Sequence, residues 1–325
     1  MAVSEFELIA RYFSDIGQVQ PSANNPVILA GGDDCALLEV PQGHQLALSI
    51  DTLNSGVHFP VDANPHDIAQ RCLAVAVSDL AAMGAKPLAF TLSLCMPSIE
   101  ENWLQHFSAG LKKAAKLYGI TLIGGDTTKG PLSLAVQVHG VLPSHQAIRR
   151  SGADVGDCIF VTGSLGDAAA ALALINGQLR ANRQQQKFLL SRFYQPQARV
   201  DIGESLRGTA TAAIDISDGL LADLGHILKA SGVGAELYCA DLPKSATLQS
   251  VCPDDDALRY ALTGGDDYEL CFTVSPNRRE HINELAEMLD VAITEVGRIV
   301  MGDALQCLDQ KGQVVDFQTM GYQHF

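Results

Sequence analysis

The stretch RRSGADVGDCIFVTGSLGDAAAALAL, residues 149–174, decides how the chain is organised. A polar connection with glycines leads into an apolar run, a glycine turn and an alanine-rich helical pattern, so a new strand–turn–helix unit begins here. A chain of 325 residues also exceeds what one hydrophobic core usually supports. The sequence therefore predicts an N-terminal domain over residues 1–149 and a C-terminal domain over residues 150–325.

Strand and helix patterns alternate on both sides of this boundary. Upstream, we expect two strands within residues 27–52 separated by the PQGH turn, a helix over 65–85, a strand in PLAFTLSLCMP, and a helix over 99–118 that ends at Gly119. Two further strands follow in ITLIGGDTT and LSLAVQVHGVL. Downstream, a helix runs into the polar stretch QLRANRQQQK, and strands and helices alternate to the end. The predicted fold class is α/β (α+β).

Composition excludes several classes of protein. The formal net charge of −15 argues against a general nucleic-acid binder, because phosphate contacts need a surface of lysine and arginine. The N-terminus MAVSEFELIARYF is acidic and amphipathic, unlike a signal peptide, and no apolar run reaches the length that spans a membrane. The eight cysteines are scattered, mostly in apolar runs, without a CxxC pair. We expect a cytoplasmic protein with reduced cysteines.

Aspartates recur beside glycines at the ends of the apolar runs. They are Asp33, Asp34, Asp51, Asp79, Asp126, Asp215, Asp218, Asp266 and Asp267. Magnesium takes oxygen ligands and shares them with substrate phosphates, and glycine lets backbone N–H groups approach phosphate closely, so the pattern suits a metal–nucleotide site. The alternative for any one of these aspartates is an ordinary turn.

Two of these positions allow a sharper prediction. Asp79 follows Cys72, Val75 and Ala76 on one apolar stripe of its helix, where a carboxylate needs a metal or another partner; the alternative register turns it to solvent. Asp215, Ser217 and Asp218 precede the pattern GLLADLGHILKASG. They either cap that helix or lie beside an anion site at its N-terminus.

Other candidates carry weaker signals. His58 lies in the loop sequence SGVHFP, where it contacts substrate or has only a structural role. Arg149 and Arg150 form a rare basic pair that suits nucleotide phosphates or a solvated surface. The chain has no GxxxxGK[ST] string and no protein-kinase motif, so any use of ATP is of another type.

Seven motifs, in their order and spacing, resemble the thiamine-monophosphate kinase family over almost the whole chain. They are GGDDCALL, LSIDTLNSGVHF, AVSDLAAMGAKP, LIGGDTT, RRSGADVGD, IDISDGLLADLGHI and GGDDYEL. The resemblance implies the two-domain fold of aminoimidazole-ribonucleotide synthetase, with an N-terminal domain that binds ATP and Mg²⁺ and dimerises, and a C-terminal domain that completes the nucleotide and substrate site. It also implies a homodimer.

The same resemblance implies roles for individual residues. The implied ligands of several Mg²⁺ ions are Asp34, Ser49, the backbone of Ile50, Asp51, Asp79, Asp126, Asp215 and Asp218. The implied contacts to ATP are Gly125, Asp126, Arg150 and Ser217. The implied contacts to thiamine monophosphate are His58, Asp266 and the region of Thr319. Asp266 stands where the family often has glutamate, and Thr319 stands where the family has an aromatic residue.

The reaction that the resemblance implies is direct in-line transfer of the ATP γ-phosphoryl group to thiamine monophosphate. The chemistry of several carboxylates around magnesium agrees with it. Two alternatives remain open at this point: a synthetase of the same fold that uses ATP to activate an oxygen, and a non-catalytic protein that binds metal and nucleotide.

Overall fold

The computed structural model describes residues 5–14, 16 and 26–317. The chain divides into two compact units. The first comprises Met1–Leu80 and Ala85–His145, and the second comprises Ala81–Gly84 and Gln146–Phe325. The domain boundary predicted between residues 149 and 150 stays a prediction. Within the described ranges, no helix is both long and apolar enough to cross a membrane.

A mixed four-stranded sheet is the centre of the first unit. The elements are α1 (Glu5–Tyr12), β1 (Val27–Leu29), β2 (Leu37–Leu38), β3 (His44–Asn54), α2 (Pro65–Ala82), β4 (Lys86–Met96), α3 (Glu101–Tyr118), β5 (Thr121–Lys129) and β6 (Ser133–Pro143). The strand order is β3-β6-β4-β5, in which β4 and β5 pair in parallel and the other neighbours are antiparallel. A separate small sheet pairs β1 with β2.

Glycines fix the ends and contacts of the two long helices in this unit. Helix α3 ends at Gly119 in the left-handed region, as the sequence predicts. Where α3 crosses α2, a Cβ on Gly110 would lie 2.1 Å from the backbone oxygen of His66, so only glycine allows this approach. Both helices are confirmed, although α2 stops at Ala82 and not at residue 85.

The helices pack on one face of the four-stranded sheet, and the other face is exposed. Residues of β3 alternate between the face that packs on the helices, which includes Ser49 and Asp51, and the opposite face. On that opposite face Leu46, Leu48 and Ile50 are 37%, 55% and 62% exposed. The sheet therefore has one buried face and one open apolar face.

A seven-stranded sheet is the centre of the second unit. Its elements are β7 (Cys158–Thr162), α4 (Asp167–Ile175), α5 (Arg183–Tyr194), α6 (Val200–Ser205), β8 (Ala210–Asp215), α7 (Leu220–Ser231), β9 (Gly234–Tyr238), α8 (Ala246–Val251), α9 (Asp254–Thr263), β10 (Leu270–Val274), α10 (Arg279–Leu289), β11 (Ile293–Val300), β12 (Leu305–Leu308) and β13 (Val314–Val315). The strand order is β13-β12-β9-β11-β7-β10-β8. Every pair of neighbours is antiparallel except β9 with β12.

Both faces of the seven-stranded sheet are buried around its central strands. On β7, Ile159 and Val161 belong to one apolar cluster, while Cys158 and Phe160 belong to another. A strand covered on both faces has no polar side, which explains why CIFVT reads as a continuous apolar run.

Two predicted elements are wrong in detail. The run VILAGGDDCALLEV is not one strand, because the chain reverses at the GGDD turn and Val27 pairs with Leu38. The polar stretch QLRANRQQQK does not end a helix; it contains the start of α5, where Asn182 and Gln185 form a reciprocal capping box. All eight cysteines are free, and Cys35 alone among them is exposed.

Candidate active site

A pair of carboxylates lies between β3 and α2 in the first unit. Asp79 is half-buried on α2, and the Ser49 hydroxyl on β3 donates a hydrogen bond to its Oδ2. The alternative in which Asp79 turns to solvent is therefore wrong. Burial, together with the nearby charge of Asp79, raises the pKa of Asp51 from 3.8 to about 7. The Oδ2 atom of Asp51 is buried and has no hydrogen-bond partner.

This arrangement fits a divalent cation. A buried carboxylate oxygen without a donor, next to a second carboxylate, is costly unless a cation compensates both charges. Across residues 5–14, 16 and 26–317, no three His, Cys, Asp or Glu side chains come together as a metal site. A magnesium ion that keeps water and phosphate oxygens as ligands needs only one or two protein carboxylates. The full set of ligands stays a prediction.

We expect Asp51→Asn to stabilise the metal-free protein above pH 7. The folded-state pKa of about 7 exceeds the unfolded value of 3.8, so the parent loses stability as the pH rises between these values. Asparagine avoids this loss because it carries no charge. Thermal unfolding from pH 4 to pH 8 is the measurement. A melting temperature lower than the parent's at pH 8, without added metal, would contradict the prediction.

Two glycine–aspartate segments of the first unit, a turn at residues 31–34 and a stretch of strand β5, border one cavity of about 660 Å³. The turn contains Asp33 and Asp34, both exposed, and the Asp34 N–H donates to Asp33 Oδ1 at 2.9 Å. The strand segment contains Gly125, whose φ is +155° and where a Cβ would lie 2.0 Å from the Leu92 backbone oxygen. The apolar lining comes from α1, β4 and β5: Ile9, Ala10, Phe13, Leu92, Leu122 and Ile123. The cavity thus has an apolar part and a part made of glycine backbone.

The remaining predicted residues of the first unit lie at the surface or in a loop. Asp126 is exposed on β5, directly after Gly125. The predicted role of Ile50 concerns its backbone, and its side chain lies on the open face of the sheet. His58 is half-buried, and its Nδ1 accepts the Asn54 N–H at 2.9 Å, which puts the ring proton on Nε2.

Asp223, which the sequence patterns do not single out, holds the loop that precedes α7 in the second unit. Gly219 is the N-cap, and Asp223 Oδ2 accepts the N–H groups of Ser217, Asp218 and Gly219 at 3.0, 3.0 and 3.1 Å. Burial raises the pKa of Asp223 to about 6. Neither Ser217 nor Asp218 caps this helix through its side chain, and the anion site predicted beside the helix end stays a prediction. An acidic residue in the first turn after a glycine N-cap was the available signal.

Asp215 and Asp218 lie on either side of Ser217, at the end of β8. Asp215 is buried and Asp218 is half-buried. The exposed pair Arg149 and Arg150 lies beside β8, the last strand of the sheet, because the Ala213 N–H donates to the Arg149 backbone oxygen at 3.0 Å. The hydroxyl of Ser231, the last residue of α7, donates to the Arg150 backbone oxygen at 3.4 Å, whereas Asp218 precedes the first residue of that helix.

The GGDDYEL motif forms a turn in which two residues other than glycine have positive φ. Asp266 has φ of 73° and Tyr268 has φ of 51°. Asp266 is half-buried, and the Tyr268 hydroxyl donates to its Oδ1 at 3.3 Å. Aspartate tolerates the left-handed region better than most residues. Thr319, the other predicted contact in this half, lies outside the described residues.

Glu269 is the centre of a buried ion network that the sequence analysis also missed. Its carboxylate, 1% exposed, accepts hydrogen bonds from Arg199 Nε at 2.6 Å and NH2 at 2.7 Å, from Arg192 at 2.8 Å and from Thr162 at 2.6 Å. These donors hold the pKa of Glu269 below its usual value despite burial. A Cβ on Gly163 would lie 2.1 Å from Glu269 Oε1. No local sequence pattern predicts these contacts, because they join residues 70 or more positions apart.

A larger cavity, of about 780 Å³, lies elsewhere in the second unit. Side chains of α7 and of the strands β12 and β13 line it, and none of the predicted site residues does. The chemistry indicated by the sequence is therefore not located there.

The chain matches known proteins over its whole length. Residues 32–142 match the AIR synthase related protein N-terminal domain, and residues 154–309 match the AIR synthase related protein C-terminal domain. The thiamine-monophosphate kinase of Salmonella typhimurium is 45% identical over 100% of this chain and 99% of its own.

Solved structures agree with these matches. The thiamine-monophosphate kinase of Stenotrophomonas maltophilia has a TM-score of 0.85 and 45% identity, covering 90% of this chain and 93% of its own. AaThiL complexed with AMPPCP and TMP has a TM-score of 0.78 and 31% identity, covering 88% and 89%. The predicted fold class and family resemblance are confirmed.

Proposed function

The chain belongs to the thiamine-monophosphate kinase family, and we propose that it transfers the γ-phosphoryl group of ATP to thiamine monophosphate, giving thiamine diphosphate and ADP. The observation that carries this proposal is the 45% identity to the Salmonella typhimurium enzyme over both full lengths. The enzyme is an ATP-dependent phosphotransferase whose acceptor is a phosphate group.

ATP binds at the 660 Å³ cavity of the first unit, with its base against the apolar side chains and its phosphates toward the glycine backbone of the 31–34 turn and of β5. Three features support this placement. Apolar surface suits a purine ring, glycine backbone admits phosphate oxygens closely, and Gly125 cannot be replaced without a clash with Leu92. Gly125, Asp126, Arg150 and Ser217 are the proposed contacts to ATP.

Mg²⁺ ions accompany the nucleotide. The proposed ligands are Asp34, Ser49, the Ile50 backbone, Asp51, Asp79, Asp126, Asp215 and Asp218. When bound, Mg²⁺ neutralises crowded phosphate charge and the charge that develops on the oxygen between the β and γ phosphorus atoms. The Ser49 hydroxyl orients Asp79. The Oδ2 atom of Asp51 is buried without a hydrogen-bond partner, and a bound cation would compensate its charge.

The transfer needs neither a covalent intermediate nor a strong base. A phosphate oxygen of the acceptor forms the new bond to the γ phosphorus, while the bond to the β–γ bridging oxygen breaks and its electron pair leaves with ADP. The acceptor phosphate has a second pKa of about 6, so it is already ionised near neutral pH. The protein's part is to position both substrates, with His58, Asp266 and Thr319 as proposed contacts to thiamine monophosphate.

Product analysis tests the proposal. The purified chain is incubated with ATP, MgCl₂ and thiamine monophosphate, and chromatography resolves thiamine diphosphate and ADP. Equal amounts of the two products are expected. ADP with a different thiamine product would favour a synthetase, whereas ATP binding without any ADP above background would favour a non-catalytic binding protein.

The enzyme functions as a homodimer through the open face of the first unit's sheet. Leu46, Leu48 and Ile50 form an exposed apolar row there, and both ring nitrogens of the neighbouring His139 are buried without a hydrogen-bond partner. An apolar row of this kind is typical of an interaction surface.

Sedimentation measurements check the dimer. We expect Leu48→Asp to shift the protein toward monomer, because a charge in an apolar interface is costly. The matched control is Leu117→Asp, which replaces an exposed leucine on α3 in the same unit. A monomeric parent, or equal effects of both variants, would contradict the proposal.

The proposed location is the cytoplasm. Thiols stay reduced there, and all eight cysteines are free. Cell fractionation with an antibody against the chain checks this location, and recovery in an oxidising compartment would contradict it.

A further inference from the structure

The turn at residues 266–268 is held in a costly conformation. Positive φ is uncommon outside glycine, and for a bulky side chain such as that of Tyr268 it is an outlier. Such a conformation persists only where the surrounding structure determines it fully.

Backbone hydrogen bonds hold the turn against the end of β8. The Asp266 N–H donates to the Ser217 oxygen at 2.8 Å, the Tyr268 N–H to the Ile216 oxygen at 2.8 Å, and the Ile216 N–H to the Glu269 oxygen at 2.7 Å. A Cβ on Gly265 would lie 2.5 Å from the Ser217 oxygen, so the two segments are in direct contact.

Two buried carboxylates anchor the same turn from the inside. Glu269 is fixed by Arg192, Arg199 and Thr162, and Asp267 Oδ2 accepts the Gly166 N–H at 2.7 Å. Asp267 and Glu269 point into the unit, whereas Asp266 between Gly265 and Asp267 is half-buried at its surface. The turn thus presents one carboxylate outward on a rigid base.

The positive φ of Tyr268 brings its hydroxyl back to Asp266. The ring is buried, and the hydroxyl donates to Asp266 Oδ1 at 3.3 Å. A buried hydroxyl that reaches a carboxylate two residues earlier restricts the rotamers of that carboxylate.

We infer that Tyr268 is a positioning residue that aims the Asp266 carboxylate at the cationic, N–H-bearing end of the acceptor. A carboxylate repels phosphate groups and attracts cations, so Asp266 suits the heteroaromatic end of thiamine monophosphate, whose quaternary nitrogen carries a positive charge that the adenine of ATP lacks. This inference rests on the proposed function.

The test is a double-mutant cycle with Tyr268→Phe and Asp266→Ala, read by calorimetric titration with thiamine monophosphate. Tyr268→Phe removes only a hydroxyl, and we expect it to weaken acceptor binding roughly threefold to tenfold, the range for one hydrogen bond. In the Asp266→Ala background the same change is expected to have no further effect. Binding of ATP with MgCl₂ should be unchanged in every variant.

Tyr238→Phe is the matched control, since it removes a hydroxyl from β9 in the same unit and should leave acceptor binding at the parent's value. Additive effects of the two changes, or an equal loss of ATP affinity, would overturn the positioning role while the kinase activity of the parent stands. A folded parent that neither binds nor phosphorylates thiamine monophosphate would overturn the proposed function and this inference with it.

Discussion

Replacing Asp79 by asparagine is expected to abolish formation of thiamine diphosphate while leaving the protein folded. The asparagine oxygen can still accept the hydrogen bond from Ser49, so packing between α2 and β3 is kept. The negative charge that would hold a magnesium ion is lost. Stabilisation of charge by a metal is worth several kcal/mol, so kcat should fall at least a thousandfold, at ~1.4 kcal/mol per factor of ten.

Initial rates of thiamine diphosphate formation, at saturating ATP and over a range of MgCl₂, are the measurement for Asp79→Asn. The matched control is Asp62→Asn, an exposed aspartate in the loop before α2, which should retain the parent's rate. A folded Asp79→Asn variant with a rate close to the parent's would remove Asp79 from the metal site and leave its half-buried charge unexplained.

Replacing Glu269 by alanine is expected to cause the largest loss of stability among single changes in the site. The change leaves Arg192 and Arg199, whose side chains are only 16% and 14% exposed, without their main carboxylate partner. Removing one partner of a buried ion pair typically costs about 3–5 kcal/mol, because the remaining charge stays desolvated. This is a large fraction of the roughly 5–15 kcal/mol by which a domain is stable.

Urea unfolding followed by circular dichroism measures this loss as a lower midpoint. The control is Glu236→Ala, which also removes a glutamate with two hydrogen bonds from one arginine, Arg298, at 2.9 and 2.7 Å. Arg298 is 58% exposed and stays solvated without its partner, so we expect little change in the midpoint of Glu236→Ala. Similar midpoints for both variants would mean that the Glu269 network contributes no more than a surface pair.

Local patterns gave much of the fold and the set of candidate residues. Helix α3 and its end at Gly119, strand β4, and the motifs from GGDDCALL to GGDDYEL depend on residues only a few positions apart. A helix or strand repeats every few residues, and a motif keeps its spacing along the chain, so both are visible in a single sequence. The family followed from the motifs, and the aspartates pointed to magnesium and phosphate chemistry.

Other features appear only when distant segments meet. The reversal at GGDD that pairs Val27 with Leu38, and the hydrogen bond from Ser49 to Asp79, are not encoded in any local period. The same holds for the hydrogen bonds from the loop before α7 to Asp223, a residue that in the sequence is an ordinary acidic residue of the first helical turn.

The chemistry that this protein carries is visible in its sequence motifs, whereas the side chains that support this chemistry come together only in the folded chain. Arg192 and Arg199 are 77 and 70 residues away from Glu269 in the chain. Their contacts with Glu269 stabilise the protein only after folding has removed most of the water around the three groups. In the unfolded chain the same arginine and glutamate side chains are far apart and solvated, so they interact weakly. Their burial and their proximity therefore arise only when the chain packs.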